Sequence, residues 1–106
     1  MIICFPNSAI EADFNERARL ERRYGRLIAE RVGSRMQVLL AAEHLALVPT
    51  TPPIVLRIDP QAAQFSVALV KSNRLRFRAT EGCTYNDGQI DLETVKKVEV
   101  LGVYEG

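Results

Sequence analysis

The hydrophobic period of this chain changes near its middle, and that change restricts the fold more than any motif does. Residues 8–48 repeat at helical spacing, Pro49, Pro52 and Pro53 interrupt the pattern, and residues 54–104 mostly alternate with period two. Helices grouped ahead of strands mark the α+β class. A length of 106 residues suits a single domain, 1–106. The expected architecture is two helices, over 9–32 and 35–47, packed on one face of an antiparallel, meander-like sheet over 54–104, with a short N-terminal strand at 1–5.

The helical half reads clearly. Ser8-Ala9-Ile10-Glu11 has the form of a capping box, so the first helix should start there. Ile10, Phe14, Leu20, Tyr24, Leu27, Ile28 and Val32 share one half of its wheel, and charged residues fill the other. Gly33 should end or bend it, and Ser34-Arg35-Met36-Gln37 offers a second capping box. The segment 35–47 is apolar almost all round, with only Arg35, Gln37, Glu43 and His44 polar. Such a helix needs cover on more than one side, which points to a subunit interface and a homo-oligomer.

Five strands are expected, at about 54–59, 64–70, 74–80, 89–92 and 97–104. Their inward residues would be Ile54, Leu56, Ile58, Phe65, Val67, Leu69, Leu75, Phe77, Ala79, Ile90, Leu92, Val98, Val100 and Tyr104. Lys71-Ser72-Asn73 and Asn86-Asp87-Gly88 carry turn chemistry. The stretch 60–72 is ambiguous, because Asp59-Pro60 also reads as a helix start, but its valines favour a strand.

The sharpest candidate site is Arg74-Leu75-Arg76-Phe77-Arg78. In a strand, alternate residues face one way, so these guanidinium groups would stand in a row about 6–7 Å apart. Arg57 and Lys71 could extend the row, with Ser66 and Ala68 flooring a shallow groove between Arg57 and the triplet. An anionic ligand, a nucleic acid or an acidic protein would fit such a face. The competing account is a solvated face with Asp91 and Glu93 as cross-strand ion-pair partners. Phe65 and Phe77 point inward, so no aromatic is expected on the arginine side. The formal net charge of +1 disfavours a bulk electrostatic partner such as duplex DNA. Arginine makes up 11 of the 14 basic residues, a bias suited to planar contacts with phosphate and carboxylate but also produced by a GC-rich genome. Arg19, Arg22, Arg23 and Arg26 form a second cluster, which Glu16 and Glu30 convert into a salt-bridged helix face.

Enzymatic motifs are sparse. Cys4 and Cys83 match no zinc or redox spacing, and His44 is the lone histidine, so neither a metal nor a cofactor is expected. A thiol enzyme built on Cys83 would need His44 beside it. The run Met1–Phe5 lacks the basic flank and length of a signal peptide, and the apolar stretch 36–48 is too short to span a bilayer, so the expected location is cytoplasmic with reduced thiols. These features favour a small, non-enzymatic binding or adaptor protein that self-associates. The alternative is an anion- or nucleic-acid-binding module using Arg57, Lys71, Arg74, Arg76 and Arg78, and the third reading is the thiol enzyme.

Overall fold

The first helix begins one residue earlier than its capping box implies. Asn7, not Ser8, is the N-cap, and its side-chain oxygen accepts the Ile10 amide at 2.9 Å. The computed structural model describes residues 1–59, 63–80 and 82–105. In place of one helix over 9–32 there are three: α1 (Ser8–Asn15), α2 (Arg17–Tyr24) and α3 (Arg26–Ala41). The first break is at Glu16, whose backbone is extended while its carbonyl accepts the Arg19 and Leu20 amides. The second is at Gly25, with φ of 90°, a conformation cheap only for glycine. Gly33 does not stop the chain; α3 runs through it, and the second capping box at Ser34 is unused. These bends bring Phe14 of α1 within 5.7 Å of Phe5 and 6.4 Å of Tyr24, ring centre to ring centre.

The predicted helix 35–47 is likewise corrected. Helix α3 ends at Ala41, and the chain turns through a 3-10 segment at Leu45–Leu47. Turning buries Ala42, Leu45 and Val48 against the chain's own core, which removes the all-apolar helix that motivated a subunit interface. Among the described residues, no helix is long and apolar enough to cross a membrane.

The sheet is mixed, not wholly antiparallel. Its strands are β1 (Ile2–Cys4), β2 (Arg57–Asp59), β3 (Gln64–Ala68), β4 (Asn73–Ala79) and β7 (Lys97–Glu105), in the order β1-β7-β4-β3-β2. Strands β2, β3, β4 and β7 meander antiparallel as the turns implied, but β1 joins the free side of β7 in parallel, with Ile3 opposite Val98. The expected strand 89–92 leaves this sheet. Residues Tyr85–Asn86 (β5) and Gln89–Ile90 (β6) form a separate hairpin. Asp87 and Gly88 turn it, with φ of 53° and 79°, the left-handed pair that a two-residue hairpin loop needs. Residues 54–56 are irregular, and β2 begins only at Arg57. Of the ambiguous stretch, 60–62 lies outside the described residues, while 64–68 is strand.

One face of the sheet joins the helices. Phe65, Val67, Leu75, Phe77, Val98 and Val100 form a single buried cluster with Leu20, Ala29, Val32 and Leu39. Of the predicted inward residues, Ala79, Ile90 and Leu92 are partly buried and two are exposed. Ile58 pairs with Phe65 yet is 42% exposed, because β2 is the outermost strand and the helical layer leaves it uncovered. Tyr104, 43% exposed, is turned to the other face by a β-bulge in β7. Arg76 pairs with Gly102 but Phe77 with Val100, so Leu101 is the extra residue and the inward set changes parity beyond it.

Phe77 has no exposed surface and lies centrally in the cluster, with its ring 5.7 Å from that of Phe65. Phe77→Ala is therefore expected to cost about 3–5 kcal/mol in a urea titration. Gly102 has φ of 143°, so Gly102→Ala should cost about 1–3 kcal/mol through backbone strain.

Candidate anion-binding face of the sheet

The face turned away from the helices presents Arg57, Gln64, Ser66, Arg74, Arg76, Arg78, Lys97, Glu99 and Tyr104 by strand register. Among the described residues, six cations of this face, counting Lys71 in the adjoining turn, stand against Asp59 and Glu99. A chain of net charge +1 thus carries a distinctly positive sheet face.

The three-arginine row exists, but its members have different surroundings. Arg74, expected in solvent, is only 8% exposed. Its Nε donates to the Ser66 hydroxyl at 2.7 Å, and its Nη2 to the carbonyl oxygens of Ser66, at 3.2 Å, and Val55. Burial, and then the neighbouring charge of Arg57, lower its pKa. Arg76 is half-buried, and its guanidinium lies 4.6 Å from the centre of the Tyr104 ring, a cation–π geometry. Arg78 is exposed and donates through Nε to Glu99 at 2.9 Å, with a second approach from Nη2 at 2.7 Å. The ion-pair partner is therefore Glu99 on β7, not Asp91 or Glu93; Asp91 instead caps the 3-10 turn Leu92–Thr94 by accepting the Glu93 amide.

The bulge at Leu101 supplies the missing aromatic. Past it, Tyr104 stands opposite Arg74 on the cationic face. A Cβ at Gly102 would lie 3.5 Å from the Tyr104 ring, so the ring leans over the space the glycine leaves. The predicted groove is also present. Ser66 sits between Arg57 and Arg76 in register, and its small side chain leaves a depression of about 170 Å³ lined also by Asp59 and Gln64. A second depression of about 190 Å³ is bounded by Arg57, Lys71, Ser72 and Arg74. Arg57 and Arg74 thus line adjoining hollows, and all five sequence-predicted binding residues belong to one face.

A second buried guanidinium sets the position of this face. Arg35 of α3, 6% exposed, donates through Nε to the Ala68 carbonyl at 2.7 Å and through Nη2 to that of Pro53 at 3.2 Å. Burial is the main influence lowering its pKa, followed by the charge of Arg31. Between them, Arg35 and Arg74 hold residues 53–55, where Val55 has the φ of 48° that a β-branched residue rarely adopts.

No hydrogen bond joins Cys83 to His44 among the described residues. Cys83 Sγ donates to the Thr80 carbonyl at 3.4 Å, and His44 Nδ1 is buried with no hydrogen-bond partner among the described residues. Among the same residues, no three His, Cys, Asp or Glu side chains are grouped to hold a metal. No protein-family model, curated protein or solved structure matches the chain.

Arg74 and Arg78 should separate in a stability assay. Arg74→Met leaves buried acceptors without a charged donor and is expected to cost about 1–3 kcal/mol in urea. Arg78→Gln removes only a solvent-exposed pair, and its effect should stay within about 1 kcal/mol.

Proposed function

We propose that the protein is a non-enzymatic binding module that holds a single-stranded nucleic acid along the open face of its sheet. The observation that carries this reading is the pair Arg76–Tyr104, a half-exposed ring and a guanidinium set beside a row of cations. Bases stack on such rings irrespective of sequence, while phosphates follow the cations. Successive arginines on β4 are about 6–7 Å apart by strand geometry, close to the repeat of an extended strand's phosphates. An acidic protein would use the cations but has no need of the ring, so the tyrosine separates the two partners.

Fluorescence anisotropy with a labelled single-stranded oligonucleotide, from low to physiological salt, tests this reading. With Arg57, Arg76 and Arg78 each meeting one phosphate, the log–log slope should approach about −2, each phosphate adding about 0.7. Tyr104→Ala should weaken binding by about 1–3 kcal/mol and leave the slope unchanged. Arg57→Gln should instead flatten it. Absence of binding at low salt overturns the proposal. Indifference to Tyr104→Ala reduces the face to a general polyanion surface.

Self-association is a second reading, supported by Leu40 and Leu47, which are 52% and 56% exposed near the C-terminal end of α3. Light scattering should then give at least twice the 11.9 kDa chain mass, and Leu40→Asp with Leu47→Asp should restore the monomer. A wild-type monomer at micromolar concentration rules this out.

A further inference from the structure

The hollow bounded by Arg57, Lys71, Ser72 and Arg74 differs from the rest of the cationic face. Elsewhere the guanidinium groups are exposed or already engaged, as Arg78 is with Glu99 and Arg76 with Tyr104. Here one wall is a buried guanidinium whose orientation is fixed. Arg74 commits Nε to Ser66 and Nη2 to Val55 and Ser66, and its Nη1 has no protein acceptor among the described residues. A charged donor immobilised in this way loses little conformational freedom when it takes up a ligand oxygen. Lys71 adds a mobile ammonium, and Ser72 adds a hydroxyl that can donate or accept.

Like charges converge on this hollow. Arg57 and Arg74 bound the same hollow, and after burial it is the charge of Arg57 that lowers the Arg74 pKa, so the two cations repel one another. An anion placed between them would convert that repulsion into two attractions. Among the described residues, no carboxylate lines the hollow; Asp59 lies on the wall of the neighbouring one. A volume of about 190 Å³ accommodates a phosphoryl group with room for bridging water.

We propose that this hollow is an oxyanion site for a terminal phosphoryl group. A terminal monoester offers three oxygens and about −1.5 to −2 charge, against a single charge on an internal diester. That is the chemistry favoured by two guanidinium groups, an ammonium and a hydroxyl lining one hollow. The group has two possible sources: the end of a bound strand, or a small phosphomonoester or inorganic phosphate. The strand-end assignment rests on the reading of the face given above. It makes the hollow the place where the strand's end is fixed, and so sets the direction in which the strand lies.

Two measurements on the full chain test the proposal separately from that reading. The first titrates inorganic phosphate and follows the backbone amides of Lys71 and Ser72 and the Arg74 side chain by heteronuclear NMR, with chloride at equal ionic strength as the control. Saturable shifts confined to these groups are expected, and they should vanish in Lys71→Ala. The second compares oligonucleotides of one sequence carrying a 5′-phosphate, a 3′-phosphate or hydroxyls at both ends. One phosphorylated end should bind roughly tenfold more tightly than the hydroxyl strand, and Lys71→Ala should abolish that preference. Arg78→Gln, on the opposite side of the row, should weaken all three strands equally. Phosphate shifts without binding of any strand would leave the hollow as a site for small phosphate compounds and overturn the strand-end assignment. Equal binding of the three strands with no phosphate shift would overturn the hollow and leave the face standing. Circular dichroism of each variant establishes that the fold is intact.

Discussion

Two guanidinium groups fasten the segment where the helices end and the sheet begins. Arg35 reaches from α3 to the carbonyls of Pro53 and Ala68, and Arg74 reaches from β4 to that of Val55. Removing a charge from water is costly, and these acceptors are neutral, so each group is retained only because its donors are well matched. Hydrogen bonds to charged groups contribute about 1.5–3 kcal/mol each, enough to offset the roughly 1–3 kcal/mol of strain at Val55. What the pair secures is the position of β2. Arg57 begins that strand, and it bounds both the hollow at Ser66 and the one at Lys71.

Much of the architecture was legible in the chain because it rests on periodicity. The switch from helical to alternating spacing located the boundary between the two halves, and strand alternation set the inward residues of β3, β4 and the first part of β7. Features that failed to register were those in which one residue alters the geometry without altering the pattern. The wheel continues smoothly across Gly25, so the amphipathic period concealed a break that glycine's positive φ makes possible. Segment 35–47 reads as one apolar helix, but Ala42 and Leu45 gain their burial by turning. The parallel docking of β1 depends on a partner at the far end of the chain, which local spacing does not encode.

The candidate face shows the same division. Alternation placed the arginines on one side and anticipated the groove at Ser66. It could not show that Arg74 is buried, since the carbonyl it serves belongs to a segment nineteen residues away. Nor did alternation assign Tyr104 correctly, because a bulge inverts parity for everything beyond it. One signal for that inversion was present: an isolated glycine, Gly102, within an otherwise regular strand. Glu99 was missed for a simpler reason. Its pairing with Arg78 follows from β4 and β7 being neighbours, whereas the acids considered lay nearer in sequence.

The pairing of β1 with β7 also orders events during synthesis. Ile2 lies opposite Lys97, a separation of 95 residues. At about 5–20 residues per second, a ribosome needs roughly 5–20 s to deliver the strand that β1 requires. The helices have no such wait, because their contacts are local and form within microseconds. For that interval Ile2, Ile3 and Phe5 have no sheet edge to join, and the nascent chain carries an apolar strand ahead of an already helical segment. A chaperone that shields short apolar strands would therefore act on β1 while β7 is still being made.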